Sequence, residues 1–423
     1  MFVLLPIAVF SILILYKKSM KICFVTLFTP TSENRMGPSA LNYYLMRDRE
    51  SDIQISIFSF NVNLISSDEI RLIEEKLKVK INLLPLPGWY RFITSPHHKM
   101  TFIRVFLSLP LFSYIRIGEK MGAKIKTEKP DVLWWYPCEL FKVPHSLAGY
   151  RHVITGPDCA SLTPFRCLQI PAIYNSCLAF VGYFKILTST LRMERRYQTH
   201  NALMHVVGMY DARKLQEINP DLNVIFLLHP HYALSSEAMV DFNKKKLKLL
   251  LAGTRSRLNE DETVALVEKL CKRCQKLSTS YSITFIGKGW DREVNKLNLA
   301  GYDCKELKWV DNYIETIIQY DIQITLLSAG AGTKGKVLDA LANGLLVIGS
   351  EIALENIAVR HNDSCLRYRH IDEIVTMLEL IPFQWHRYEE IACKGMLQVR
   401  TYHSPQRISK RFFDIMRRFL KSE

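Results

Sequence analysis

Residues 320–350 read YDIQITLLSAGAGTKGKVLDALANGLLVIGS, and this stretch decides the fold. Ile322, Ile324 and Leu326 alternate as on a strand, and the apolar run stops at Ser328. Gly330, Gly332 and Gly335 make a flexible turn, after which Val337, Leu338 and Leu341 recur at helical spacing. Gly344 ends that helix, and residues 345–348 form a short, wholly apolar strand. The result is one βαβ unit whose loop feeds a helix N-terminus. Such a terminus offers unpaired N–H groups and the positive end of the helix dipole, so it suits a phosphate. Lys336 in the first turn opposes that dipole by a few tenths of a kcal/mol. Its position makes most sense if an anion sits there too.

Two short motifs nearly fit the same letters. Gly330, Gly332 and Gly335 spell G-x-G-x-x-G, with Glu351 about twenty residues on, as in a dinucleotide fingerprint. That fingerprint belongs to the first βαβ of a domain, whereas strand-like runs at 247–252 and 282–286 come earlier. Gly330 to Lys336 also spells G-x-x-x-x-G-K, but Val337 stands where a phosphate loop needs Ser or Thr for magnesium.

A third reading uses more of the stretch. GAGTKGKVLDALANGLLVIGS, with Glu355-Asn356-Ile357 after it, resembles the donor-binding motif of family-4 glycosyltransferases with the GT-B fold. There a glycine-rich loop, a lysine, an LEA-A-G-PVV run and a later EGI recur in this order. Lys336, Asp339, Ala342, Gly344, Val347 and Glu355 fall on those places. The resemblance implies an α/β chain of two Rossmann-like domains facing each other across a cleft. It also implies that amides of Gly332 and Thr333 hold a donor diphosphate, that Asp339 bonds the ribose hydroxyls, and that Glu355 belongs to the donor site. There are departures. Asp339 replaces a Glu, Ala331 stands where many members carry the first Glu of a Glu-x7-Glu pair, Leu346 replaces a proline and Asn356 a glycine. A glycine-rich subgroup of the family lacks that first Glu as well.

The 423 residues suffice for two α/β domains, and 48% hydrophobic with 23% charged residues is ordinary for a globular chain. The net charge of +15 is not ordinary, and it points to an anionic partner. No nucleic-acid module accompanies it, so a sugar nucleotide and an anionic membrane surface are favoured over nucleic acid. The ten cysteines follow no regular spacing; Cys23 and Cys177 sit in apolar runs that read as buried. Cys271 and Cys274 form one C-x-x-C without a second pair, so reduced thiols of a cytosolic enzyme are expected. Residues 1–16 are apolar and precede Lys17-Lys18, but fall short of the roughly twenty needed to span a bilayer. A short anchor and an upstream extension before Met20 both fit.

Along the chain, residues 21–28 (KICFVTLF) form a strand, and Gly37-Pro38-Ser39 opens the next helix. By the resemblance Gly37 lies over the cleft and joins the donor site. Residues 89–124 interleave Trp89, Tyr90 and Phe92 with Arg91 and the pair His97-His98, either a headgroup interface or core helices with a basic face. Residues 130–135 match a PDVV strand. The strand at 151–155 ends in Gly156-Pro157-Asp158, which makes Asp158 an acceptor-side candidate by resemblance and a turn cap otherwise. Glu194-Arg195, Gly208 and Asp211 resemble an E-R…VSE-D passage, and His229 and His231 fall in the interlobe linker. In the second lobe, Arg255 or Arg257 after the 246–252 strand takes the place of a diphosphate-gripping arginine by the resemblance, with Arg255 favoured, although Asn259 and Glu260 occupy the region of its usual lysine partner. Gly287 is a wall for the base. Residues 307–310 match the strand before the base-binding turn, with Val310 at the site and Trp309 buried if the strand is core. Residues 404–423 form a basic amphipathic helix that either braces the first lobe or lies on a membrane.

The expected organisation is therefore 1–19 as an apolar segment, 20–232 as the acceptor-side domain, 233–403 as the nucleotide-sugar domain and 404–423 as the terminal helix. The resemblance implies a hexosyltransferase acting with retention on a glycan or lipid-linked acceptor in polysaccharide or glycoconjugate synthesis, at the cytoplasmic side of a membrane. Lys336, Arg255 and the loop amides would neutralise the departing diphosphate, with Asp158 on the acceptor side and no cofactor or divalent metal required. A non-catalytic binder of sugar nucleotides or glycans on the same fold is the alternative.

Overall fold

The computed structural model describes residues 19–34, 39–94, 103 and 106–422. Gly37, the segment 1–18 and the pair His97-His98 lie outside the described residues.

Two parallel sheets organise the chain. The first is built from β1 (Met20–Thr26), β2 (Ile53–Ser59), β3 (Lys80–Leu83), β4 (Val132–Tyr136), β5 (Arg151–Thr155), β6 (Ala202–Val206) and β7 (Val224–Phe226), in the order β3-β2-β1-β4-β5-β6-β7. The second contains β8 (Leu247–Ala252), β9 (Tyr281–Ile286), β10 (Asp303–Leu307), β11 (Ile322–Thr325), β12 (Leu346–Gly349) and β13 (Leu366–Arg367), in the order β10-β9-β8-β11-β12-β13. Every strand pair is parallel. A parallel sheet is covered on both faces, which is why β4 (VLWWY) and β12 (LVIG) are apolar without alternation and buried throughout.

In each sheet the strand order reverses beside the first strand, between β1 and β4 and between β8 and β11. Crevices open at the carboxyl ends of strands where the order reverses, because successive connections leave to opposite sides there. The two crevices define one cleft, closed at its base by the linker after β7. There His403 Nδ1 donates to the His229 carbonyl at 2.6 Å, and its Nε2 accepts the Ala358 N–H at 3.0 Å.

The terminal helix, Pro405–Lys421, crosses back to the first lobe. Ile408, Phe412, Phe413 and Met416 join that lobe's core, with the Phe412 ring 4.9 Å from Trp134 and 4.8 Å from His205. Arg417 holds Asp52 at 2.8 Å and Glu50 at 2.6 Å. The apolar face of this helix is thus covered by the protein itself.

Two expectations need correction. Cys177 is exposed, because it opens a helix, Cys177–Glu194, whose first turns stand away from the core. The strand near 307–310 ends at Leu307, where Gly287 N–H still bonds its carbonyl, and Trp309 turns out to be 79% exposed. The described residues of the 89–124 stretch include most of the short helix Gly88–Thr94, buried Leu109, Leu111 and Ile115, and the start of the helix Glu119–Thr127.

Phe412→Ala is expected to destabilise the protein by about 3–5 kcal/mol through the cavity left beside Trp134, measured as a lower midpoint in urea unfolding.

Candidate active site in the interlobe cleft

A cavity of about 460 Å3 lies in the cleft. One wall is the glycine loop of the second lobe, with Ala331, Gly332, Thr333 and Gly335; the other carries Glu139 and Asp158, delivered by the carboxyl ends of β4 and β5, beside Tyr136 and Phe112.

The loop is shaped by backbone demands. Gly332 has φ +63°, a left-handed value that favours glycine, and a Cβ there would stand 3.2 Å from Asp158 Cβ. Its N–H donates to Asp211 Oδ1 at 3.3 Å; the same carboxylate accepts the Cys159 N–H at 2.9 Å and the Asn356 amide at 3.0 Å. Gly208 is required for that bridge, since a Cβ would come within 2.2 Å of Asn356 Nδ2. Arg166 forks onto Glu355 at 2.7 and 2.8 Å and donates to the Gly330 carbonyl at 2.6 Å. Lys334, mostly buried, donates to the Gly332 carbonyl at 2.8 Å and lies 3.7 Å from Glu355. Burial pulls its ammonium pKa down, with Glu355 and Asp211 opposing.

Beside the cavity, part of the loop and of the helix start is unpaired. Thr333 Oγ1 is buried without a hydrogen-bond partner among the described residues. At the start of the helix Gly335–Ala342 the Val337 and Leu338 amides donate to the Lys334 carbonyl at 3.0 Å, and those of Gly335 and Lys336 have no acceptor among the described residues. A Cβ at Gly335 would meet nothing within 4 Å, so the space before this helix is open. In the same first turn Lys336 lies 5.6 Å from the Tyr313 ring centroid. Burial pushes the Asp339 carboxyl up to about 7, against the pull of Lys336.

Across the cavity, burial lifts the Glu139 carboxyl. Asp158 is raised to about 7, first by burial, then by the carboxylates of Asp211 and Glu139, with Lys334 opposing. His229 is held neutral by burial, its pKa lowered to about 4. Its Nδ1 faces the Pro230 carbonyl at 2.8 Å, so Nδ1 carries the proton and Nε2 accepts the Tyr232 hydroxyl at 2.9 Å.

The cleft therefore gathers Asp158, Gly332 and Thr333, with Lys336 and Asp339 on the adjoining helix. It leaves Arg255, Gly287 and Val310 on the β8–β10 side. Arg255 is engaged there by Glu293 at 2.9 Å and Glu260 at 2.8 Å, over the Trp290 ring. Gly287 lets β9 pass the Gly253 backbone, which a Cβ would meet at 2.6 Å. Val310 packs, half-buried, in the cluster containing Tyr313 and Ile314. Glu355 is committed to Arg166. Glu139, Arg166 and Lys334 were not singled out by sequence. The available signals were the position of Glu139 four residues beyond a predicted strand and that of Lys334 just ahead of the helix. Among the described residues, no cluster of three or more His, Cys, Asp or Glu side chains could hold a metal.

Two Rossmann-like domains with their strand carboxyl ends facing across a cleft define the GT-B architecture. Solved structures share it. A glycosyltransferase from Rickettsia africae matches over 96% of this chain and 100% of its own, with TM-score 0.59 and 12% identity. HepE of Anabaena, in complex with UDP and glucose, matches over 94% and 100%, with TM-score 0.58 and 10% identity. Sucrose-phosphate synthase from Thermosynechococcus elongatus matches over 96% and 100%, with TM-score 0.61 and 10% identity. At these identities the likeness establishes the fold. No protein-family model matches the chain, and no curated protein matches it.

Removing Arg166 takes both forked hydrogen bonds from the buried Glu355 and leaves it only Lys334 at 3.7 Å, so Arg166→Ala should cost about 3 kcal/mol, read from urea unfolding. Asp158 binds its proton more tightly in the folded than in the unfolded chain. Its contribution therefore makes stability fall as pH rises from the ordinary carboxylate range to about 7. Asp158→Asn is expected to be more stable than the parent at pH 8, by on the order of 2 kcal/mol after allowance for partial exposure, with the gain vanishing near pH 4 in paired melts.

Proposed function

We propose that the protein is a glycosyltransferase that moves a hexosyl group from a nucleotide-sugar donor to a glycan or lipid-linked acceptor. The observation that carries this reading is the pairing of the open helix N-terminus at Gly335, with its unpartnered Thr333 hydroxyl, against Glu139 and Asp158 across one cavity. The bound UDP and glucose in HepE, a protein of the same architecture, support a nucleotide-sugar donor.

In this reading the donor diphosphate caps the Gly335–Ala342 helix, where free amides, the helix dipole and Lys336 meet its charge. Asp339, on the same face one turn on, accepts from the ribose hydroxyls. Glu139 and Asp158 bond the acceptor hydroxyls. The bond between the anomeric carbon and the diphosphate oxygen breaks while the acceptor oxygen bonds the same carbon. Its proton passes to the departing diphosphate, whose growing charge the helix terminus and Lys336 stabilise. Retention follows the resemblance of the loop, and the nucleotide sugar is a substrate, with no resident cofactor. A cytoplasmic role in polysaccharide or glycoconjugate synthesis fits this donor. A second reading, a binder without turnover, is favoured by Ala331 in place of a glutamate and by the engagement of Glu355 with Arg166.

The test is a thermal-shift screen of UDP, GDP, ADP, CMP and NAD on the parent and on Lys336→Ala, followed by transfer of labelled sugar. A nucleoside diphosphate at a hundred times its dissociation constant should add about 2.7 kcal/mol to stability, and the mutant should lose most of it. Response to NAD alone, or to no diphosphate, would overturn the donor site; binding without product would favour the second reading.

A further inference from the structure

The helix Cys177–Glu194 is inverted relative to an ordinary surface helix. Its buried residues, Ser189, Thr190, Met193 and Glu194, all lie at its C-terminal end, while Leu178, Val181 and Phe184 are 87%, 56% and 52% exposed. Tyr174, in the short helix just before it, is exposed too, 5.8 Å from the Phe180 ring, which stacks on Phe184. The segment 171–188 is thus an apolar, aromatic prong.

Its charge is one-sided. No Asp or Glu occurs between Asp158 and Glu194, where Arg166, Lys185 and Arg192 are the charged residues. The neighbouring tract 76–118 is also free of acids. The two tracts meet in space: Tyr90 packs 6.0 Å from Phe112, and Ser113 donates to the Met193 sulfur at 3.2 Å.

We propose that this prong docks on an anionic lipid surface. Exposed aliphatic and aromatic side chains beside basic residues suit a headgroup boundary, where the apolar parts are buried and the cations meet lipid phosphates. A second copy of the chain fits less well, because a two-fold contact sets the same patch against itself and brings Lys185 and Arg192 together without an acid to pair them. The prong is also rooted at the cleft. Cys167, Ile170 and Ile173 pack on Ala329, next to the glycine loop, and the Ser161 N–H is held by Glu194 at 3.0 Å. Docking would present the cavity to a lipid-linked acceptor, a consequence that rests on the function proposed above, whereas the docking itself does not.

The test is flotation of the full chain with vesicles of phosphatidylcholine alone or mixed with phosphatidylglycerol. The parent is compared with a combined Leu178→Ser, Val181→Ser, Phe184→Ser variant and with Lys185→Glu. The parent should prefer the anionic vesicles by about tenfold or more at low salt. The triple variant should lose about tenfold in partitioning, and Lys185→Glu should lose the charge preference in part. Equal partitioning of parent and triple variant, or indifference to lipid charge, would sink the proposal. So would a parent dimer, seen by light scattering, that the triple variant dissociates. Melting temperature and the UDP response of each variant report folding separately. Lipid binding as expected without any UDP response leaves the docking intact and removes the donor reading.

Discussion

The contact on which the cleft depends is the fork of Arg166 onto Glu355, which also grips the Gly330 carbonyl. Arg166 belongs to the first lobe and the other two to the second, so one guanidinium fixes the glycine loop against the opposite lobe. Lys334 and Asp211 complete the network, giving two cations and two carboxylates in a nearly dry seam. Buried ion pairs rarely add much net stability, because desolvation offsets their attraction, but their geometry is exacting. Here that geometry occupies the Gly330 and Gly332 carbonyls and the Gly332 amide, and leaves the Gly335 and Lys336 amides at the helix start without an acceptor among the described residues.

That division sorts the cleft by sign. The second-lobe wall ends in a helix N-terminus with Lys336 nearby. The first-lobe wall carries Glu139 and Asp158, whose pKa values rise because burial disfavours ionisation, joined at Asp158 by the charges of Asp211 and Glu139. A diphosphate is attracted to the second-lobe wall and repelled by the first-lobe wall. The acidic wall can still bond neutral hydroxyl groups. In a chain of net charge +15 this local acidity is set by the fold.

The two lobes are held in this relation from both ends of the cleft. At its base the linker, the end of the helix Trp385–Tyr402 and residue 358 converge on His403, kept neutral by burial. From there the terminal helix returns to the first lobe and buries Phe412 and Phe413. Chain order alone would leave the second lobe tethered once; the return makes the first lobe's core partly the product of the last twenty residues.

The sequence by itself determined what backbone periodicity determines. The alternation from Ile322, the glycine turn and the helical spacing of Val337, Leu338 and Leu341 appear as β11, the loop and the helix Gly335–Ala342. The same stretch carried the resemblance that implied the GT-B fold. Residue type and spacing within some thirty positions suffice for that, because the hydrogen bonds that make helices, and the apolar runs that make buried strands, are local in sequence. Which charged groups face a ligand was decided only in three dimensions. Glu355, expected at the donor, meets Arg166 from 189 residues away. Arg255 is taken up by Glu293. Lys334, two residues from the favoured Lys336, turns into the seam, while Lys336 stays at the surface. Cys177 and Trp309 sit in apolar surroundings on paper and in the open in the fold. A side chain's partner depends on what the fold places opposite it, and no local pattern encodes a contact made across two lobes.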